Sequence, residues 1–143
     1  MILGLSIAGL AAAVPVRAID NPDAPDYGAE FASRAKPYED RVGEAAGGGP
    51  ALAQANAAYA AFLDAELNRA YAQLLAQLAP ADKRALTRAQ REWLQFHDAE
   101  GRFIDGNWTP QRFGSSAALS RAGYRNALVR QRTLVLLGYL QNY

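Results

Sequence analysis

From Ala51 to about Leu78 the apolar positions Leu52, Ala55, Tyr59, Phe62, Leu63, Leu67, Ala70, Tyr71, Leu74 and Leu78 recur every three or four residues, without an internal Gly or Pro. That rhythm predicts one long amphipathic helix. Ala79-Pro80 ends it; Pro80 suits the first position of a following helix, and Asp82 favours the positive end of that helix's dipole. The second helix carries Leu86, Ala89, Trp93, Phe96, Phe103 and Ile104 toward one face and is expected to end between Gly101 and Gly106. Folding the two helices antiparallel about Ala79-Pro80 sets Asn68 level with Gln90 or Arg91, Tyr71 with Arg88, and Asp64 with Gln95. Asn68 and Gln90 are then expected to hydrogen-bond across an apolar seam, a pairing that costs some stability and fixes register.

The flanking stretches are less regular. Ile19 to Tyr27 carries two Pro and three Asp and reads as an extended, mobile leader. Phe31, Ala35, Tyr38, Val42 and Ala45 form a helical stripe broken by Pro37, which predicts either a short helix from about Pro37 to Ala46 or a kinked longer one. Gly47-Gly48-Gly49-Pro50 then interrupts the chain. Asp105 to Gly114 (DGNWTPQRFG) reads as a loop, and Ser115 or Ser116 as the N-cap of a last helix running to about Gly138 or beyond. That helix holds Arg121, Arg125, Arg130 and Arg132 and no acid, so its partners must come from Asp64, Glu66, Asp98, Glu100 or the acidic N-terminal segment. The fold class that follows is all-α: a small helical bundle built on a long antiparallel hairpin, with three main helices and a weak N-terminal one.

The first 18 residues, MILGLSIAGLAAAVPVRA, change the picture of location. An apolar run closed by Val16-Arg17-Ala18 reads as a secretory signal cleaved after Ala18, although no Lys or Arg precedes the run. Such a run is too short for a convincing membrane span, and nothing later approaches the ~20 apolar residues one requires. The organisation read from the sequence is thus a signal peptide over 1–18, an acidic leader with a short helix and Gly-rich linker over 19–50, and a helical domain over 51–143. The expected compartment is periplasmic or secreted.

The formal charge is +1, and removal of Arg17 with the signal leaves none. The charge is nonetheless lopsided: residues 19–66 hold nine acids against three bases, and residues 67–143 five acids against eleven bases. Acidic and basic faces packing on each other account for this more readily than a charged partner does. Nucleic acid is a poor fit, because the bases are not interleaved with exposed aromatics and export removes the usual targets. The absence of Cys excludes disulfides, thiolate metal sites and a cysteine nucleophile.

Asp64-Ala-Glu-Leu67-Asn68-Arg-Ala-Tyr71, followed by Ala89-Gln90-Arg91-Glu-Trp93-Leu94 and His97-Asp98-Ala99-Glu100, resembles the D-x-x-L-N-x-x-Y and Q-R-x-W-x-x-[F/Y]-R-D-A-x-C pattern of the LprI-like lysozyme-inhibitor domain. Arg130-Gln-Arg132-Thr133 is similar to that family's closing element, and the resemblance covers about Leu52 to Leu137. It implies an all-helical exported protein and, for the namesake branch, binding and inhibition of lysozyme. Asp64, Leu67, Asn68, Tyr71, Gln90, Trp93, Asp98 and Arg132 are the matching positions, and a structural role is expected for them. The family's cysteines fall by spacing at Gly101 and Tyr124, with another near Ala55 to Ala57, and the Arg of its R-D pair is His97 here. The resemblance therefore implies a cysteine-less member in which the Tyr124 ring fills the space of a bridge over Gly101, forgoing the ~2 to 4 kcal/mol a disulfide contributes in the chain-entropy picture.

No catalytic constellation stands out. His97 and Glu100 share a helix face, but a zinc or di-iron site needs further ligands and no second Glu-x-x-His exists. Nucleophile elbow, P-loop and dinucleotide fingerprint are all missing, so the reading is non-enzymatic, without cofactor or metal. Two functions remain open. In one, the loop with Trp108, Arg112 and Phe113 binds lysozyme or another cell-wall hydrolase, since Trp and Arg dominate interface energetics. In the other, the chain is a structural or stress-related cell-envelope protein of the same fold without lysozyme affinity, its aromatic loop packed on its own core.

Overall fold

The computed structural model describes residue 21 and residues 23–45 and 47–143; the expected signal peptide and its cleavage point lie outside the described residues. Five helices and no strand occur among them: α1 (Tyr27–Glu44), α2 (Gly49–Gln77), α3 (Pro80–Asn107), α4 (Pro110–Phe113) and α5 (Ser116–Leu140). The all-α class read from the periodicity is the one observed.

The long helix α2 is central. Its apolar stripe, Leu63, Leu67, Ala70 and Leu74, meets Leu136, Leu137 and Leu140 of α5 in the main core. α5 rather than α3 is the helix with which α2 shares most of its surface. The turn expected at Ala79-Pro80 is present, with Ala79 as the N-cap and Pro80 opening α3, and the Tyr71 hydroxyl donates to Thr87 Oγ1 at 3.2 Å; past that point α2 and α3 share little surface, so the bundle rests on the α2–α5 pair rather than on a long α2–α3 hairpin. Beyond Leu86, which still joins the core, α3 leans on α5. The register there is set by Arg132 Nε donating to Gln90 Oε1 at 3.0 Å and by Arg121 Nη1 donating to the Trp108 carbonyl at 2.8 Å.

α1 is the longer of the two helices Pro37 left open. Asp26 caps it, Oδ1 accepting from the Ala29 amide at 2.8 Å. Pro37 lies on its exposed side, where the carbonyl that Pro deprives of a donor can turn to water. The opposite side is buried: Phe31 and Ala35 are fully enclosed, and Tyr38 stacks on Phe62 with centroids 4.4 Å apart. α1 runs antiparallel to α2, as the pairs Arg34–Glu66 and Glu39–Tyr59 show. Gly48 and Gly49 make the intervening turn with φ of 89° and 73°, a region open to glycine at little cost.

Ionic contacts between elements follow the charge asymmetry in part. Glu39 of the acidic segment accepts from Arg130 Nε at 3.2 Å and from the Tyr59 hydroxyl at 2.8 Å. Burial, with this bond to Glu39, pushes the Tyr59 phenol up to about 12. Glu66, deep in the α1–α2 seam, takes Arg34 at 2.7 Å and Arg69 at 2.8 Å. The hydrogen bond to Glu66 holds the Arg34 guanidinium above its usual range.

Several sequence expectations need correction. Asn68 is exposed, and Gln90 pairs with Arg132 instead; the face of α3 that carries Gln90 looks at α5, so no α2–α3 seam exists at that height. Phe96 and Phe103 are exposed although an apolar face was expected there, because past Leu86 α3 is covered chiefly from the α5 side, where only Gly101 and Ile104 are buried. The expected loop over 105–114 is mostly helical: α3 runs to Asn107, and Pro110 opens the one-turn α4. Ser115 is the N-cap of α5 by position but makes no side-chain cap bond, while Ser116 Oγ donates to the Phe113 carbonyl at 2.7 Å. The space over Gly101 belongs to Arg125, whose guanidinium would meet an added Cβ at 3.3 Å; Tyr124 lies on Trp108 and is half exposed.

Candidate functional site

Two clusters gather the residues singled out in the sequence. The first lies between α3 and α5. Arg132 extends over the Trp93 ring with its guanidinium carbon 5.9 Å from the centroid, and Trp93 in turn packs on His97 at 5.1 Å. Gln90 holds Arg132 Nε, while Arg132 Nη2 is buried with no hydrogen-bond partner among the described residues. Desolvation pushes the Arg132 guanidinium below its ordinary value. Cation–π contact and one hydrogen bond are thus what the half-buried charge receives in place of a carboxylate.

The other signature positions scatter. Leu67 is core, and Tyr71 bonds Thr87 near the turn. Asp64 and Asn68 face solvent, and Asp98 does too, 3.6 Å from His97 Nδ1. Gln90, Trp93 and Arg132 are brought together; Asp64, Asn68 and Asp98 do not join them. No group of three or more His, Asp or Glu side chains disposed to hold a metal occurs among the described residues.

The second cluster is an aromatic corner where α3 ends. Trp108 is the C-cap of α3, its amide donating to the Ile104 carbonyl at 3.0 Å. Around its ring stand Tyr124 at 4.5 Å, Phe103 edge-on at 5.9 Å and Phe113 stacked at 6.3 Å. Trp108 itself is half-buried, whereas Phe103, Phe113 and Tyr124 are 58%, 45% and 47% exposed. Arg112, also within the expected loop, donates to Asn107 Oδ1 at 3.2 Å, and Gly114 turns the chain back with φ of 60°. A cleft of about 180 Å³ beside the corner is lined by Glu100, Phe103, Ile104, Trp108, Tyr124 and Leu128. Sequence reasoning named Trp108, Arg112 and Phe113 and missed Phe103 and Tyr124, which arrive from α3 and α5. One signal was available for Phe103, since it repeats Phe96 at seven residues but is out of phase with Trp93 and Ile104.

Exposed aromatic rings from α3, α4 and α5 thus meet around Trp108. A family model described as lysozyme inhibitor LprI matches residues 44–136, well over half of the chain. The chain belongs to the LprI family. Gln90, Trp93, Arg132 and all the residues of the aromatic corner thus fall within the matched LprI segment, while α1 lies almost wholly ahead of it. The LprI family is of inhibitor type rather than catalytic, and its members are exported. No helix among the described residues is long and apolar enough to cross a membrane. No curated protein and no solved structure matches the chain.

Proposed function

We propose that this protein is an exported, non-enzymatic binding module that engages lysozyme or a similar cell-wall hydrolase through its aromatic corner. The observation that carries the reading is the trio of exposed rings, Phe103, Phe113 and Tyr124, held around a half-buried Trp108 in a member of an inhibitor family. Burying such rings supplies affinity without charge complementarity. That suits a chain whose acids are partly consumed internally, Glu39 by Arg130 and Glu66 by Arg34 and Arg69. It also suits a target that is itself basic, since α3 presents Lys83, Arg84, Arg88 and Arg91 on an exposed face that such a target would avoid.

Titration of the protein into a lysozyme lysis assay tests the reading. Inhibition that weakens on Trp108→Ala and Phe113→Ala is the expected result. Absence of inhibition up to about 100 μM against several lysozyme types, an affinity no better than about −5.5 kcal/mol, sinks it. The contacts of Trp108 with three rings of its own chain favour the second reading, a structural or stress-related envelope protein whose aromatic corner stabilises the α3–α4–α5 junction. That reading gains if Trp108→Ala lowers the melting temperature and no hydrolase is inhibited.

A further inference from the structure

The α2–α5 seam is zipped along its C-terminal half and open along its N-terminal half. Leu63, Leu67 and Leu74 meet Leu136, Leu137 and Leu140 in the closed part. Beyond it the helices diverge: the buried face of α2 continues as Leu52 and Asn56, flanked by the exposed Ala53, Ala57 and Ala60, and α5 offers Ala118, Leu119 and Ala122 opposite. The result is a predominantly apolar cleft of about 640 Å³ ending at the Gly47–Gly49 turn. Two buried amides lie in it. Asn56 donates Nδ2 to its own helix, at the Leu52 carbonyl 3.1 Å away. Asn126 is only 7% exposed, and its Nδ2 has no hydrogen-bond partner among the described residues. An unmade hydrogen bond of this kind is costly, and native structures keep few of them without a reason. Beside Asn126 the cleft is edged by Arg125, whose Nη2 is held by Asp105 at 2.6 Å while its side chain remains 41% exposed.

We propose that this cleft binds a single-chain carboxylated amphiphile of the fatty-acid type, its alkyl chain along the alanine-lined walls and its carboxylate at Arg125 and Asn126. The chemistry selects this occupant. The slot between two helices admits a slim unbranched chain, and its volume lies in the range of small-ligand pockets. Arg125 is the one cation among the residues lining the cleft, and an anionic head there would share its part-exposed guanidinium with Asp105, while a carboxylate oxygen is an acceptor for the amide hydrogens of Asn126 after rotation about the Cβ–Cγ bond. The cleft lies on the α2–α5 seam and is lined by none of the aromatic-corner residues, so hydrolase binding and amphiphile binding are separable.

Calorimetric titration of the full chain with sodium dodecanoate, below its micellar range, tests the proposal. Saturable one-to-one binding is expected, lost by at least about tenfold in Ala57→Leu and in Ala122→Leu, which fill the slot. Asn126→Leu and Arg125→Gln each lower affinity by about tenfold, the scale of a lost charge-assisted hydrogen bond. Uncharged 1-monododecylglycerol binds the unmodified chain about tenfold more weakly than dodecanoate for the same reason. Asn126→Leu also raises the melting temperature of the unliganded protein, a readout that stands if the Ala→Leu variants misfold. No saturable binding overturns the proposal, as does binding that survives both Ala→Leu changes. A concentration-dependent dimer that Ala57→Leu dissociates overturns it too, since a second copy is then the occupant.

Discussion

Glu66 offers the sharpest test of how α1 is held on the bundle. Its carboxylate is 4% exposed in the α1–α2 seam and is gripped from two sides, by Arg34 through Nε at 3.2 Å and Nη2 at 2.7 Å, and by Arg69 at 2.8 Å. Removing one partner of a fully buried ion pair costs about 3 to 5 kcal/mol because the other charge is stranded. Arg34, however, is 38% exposed, and Arg69 stays behind to hold one carboxylate oxygen. Arg34→Ala should therefore cost about 2 kcal/mol, below that range, because surface screening discounts the lost pair. For a domain of this size that is a fall in melting temperature of about 8 °C. Glu66→Leu removes the buried charge itself. Both arginines then turn to water, so the expected change is within about 1 kcal/mol of zero, with stabilisation permitted. The assay is urea unfolding followed by far-UV circular dichroism, with the slope checked for constancy. The reasoning is refuted if Arg34→Ala is neutral within about 0.5 kcal/mol, or if Glu66→Leu is the more damaging of the two. The first outcome means the pair is hydrated in solution, and the second that the carboxylate is worth more than its desolvation.

Three further outcomes follow from the same geometry. The Tyr59 phenol, raised to about 12 in the fold from an ordinary value near 10, binds its proton more tightly folded than unfolded, so its contribution is complete below about pH 10 and lost as pH climbs toward 12; Tyr59→Phe should flatten that alkaline loss, measured by urea midpoints between pH 9 and 11.5, and an unchanged slope counts against it. Phe31→Ala empties a fully buried site and should cost about 3 to 5 kcal/mol by urea unfolding, although it lies outside the segment matched by the family model; a cost below about 1 kcal/mol would show that α1 is only loosely docked. Arg132→Met removes a partly desolvated charge with one orphaned nitrogen and should leave stability within about 1 kcal/mol, with Trp93 fluorescence blue-shifted as the guanidinium leaves its face; a loss above about 3 kcal/mol would show that the Gln90 bond and the stacking outweigh desolvation.

The legible part of this fold is the part that each helix decides by itself. Spacing of Leu52 to Leu78 located α2, Ala79-Pro80 located the turn, and the triple glycine located the break before α2. The misplacements arose where a second helix had to choose a partner. Asn68 and Gln90 were set against each other because a turn at Pro80 makes α2 and α3 neighbours in sequence, whereas α5 takes the apolar face of α2 and also receives Gln90 through Arg132. Phe96 and Phe103 looked like core because periodicity counts apolar residues without knowing whether anything covers them.

The candidate sites divide in the same way. Trp108, Arg112 and Phe113 were visible as a local cluster, and their family context was visible in the spacing of Gln90, Trp93 and Arg132. Phe103 and Tyr124 completed the aromatic corner only once α3 and α5 were laid side by side. The cleft at Asn126 has no sequence signature, because alanines on a helix mean tight packing or an empty slot depending on how far away the next helix sits. By itself, then, the sequence determined the all-helical class, the breaks at the triple glycine and at Ala79-Pro80, and the family, all consequences of local periodicity and residue order. Tertiary structure alone decided which apolar faces found partners, since burial depends on what lies opposite, and a chain's own spacing does not encode the distance to its neighbour.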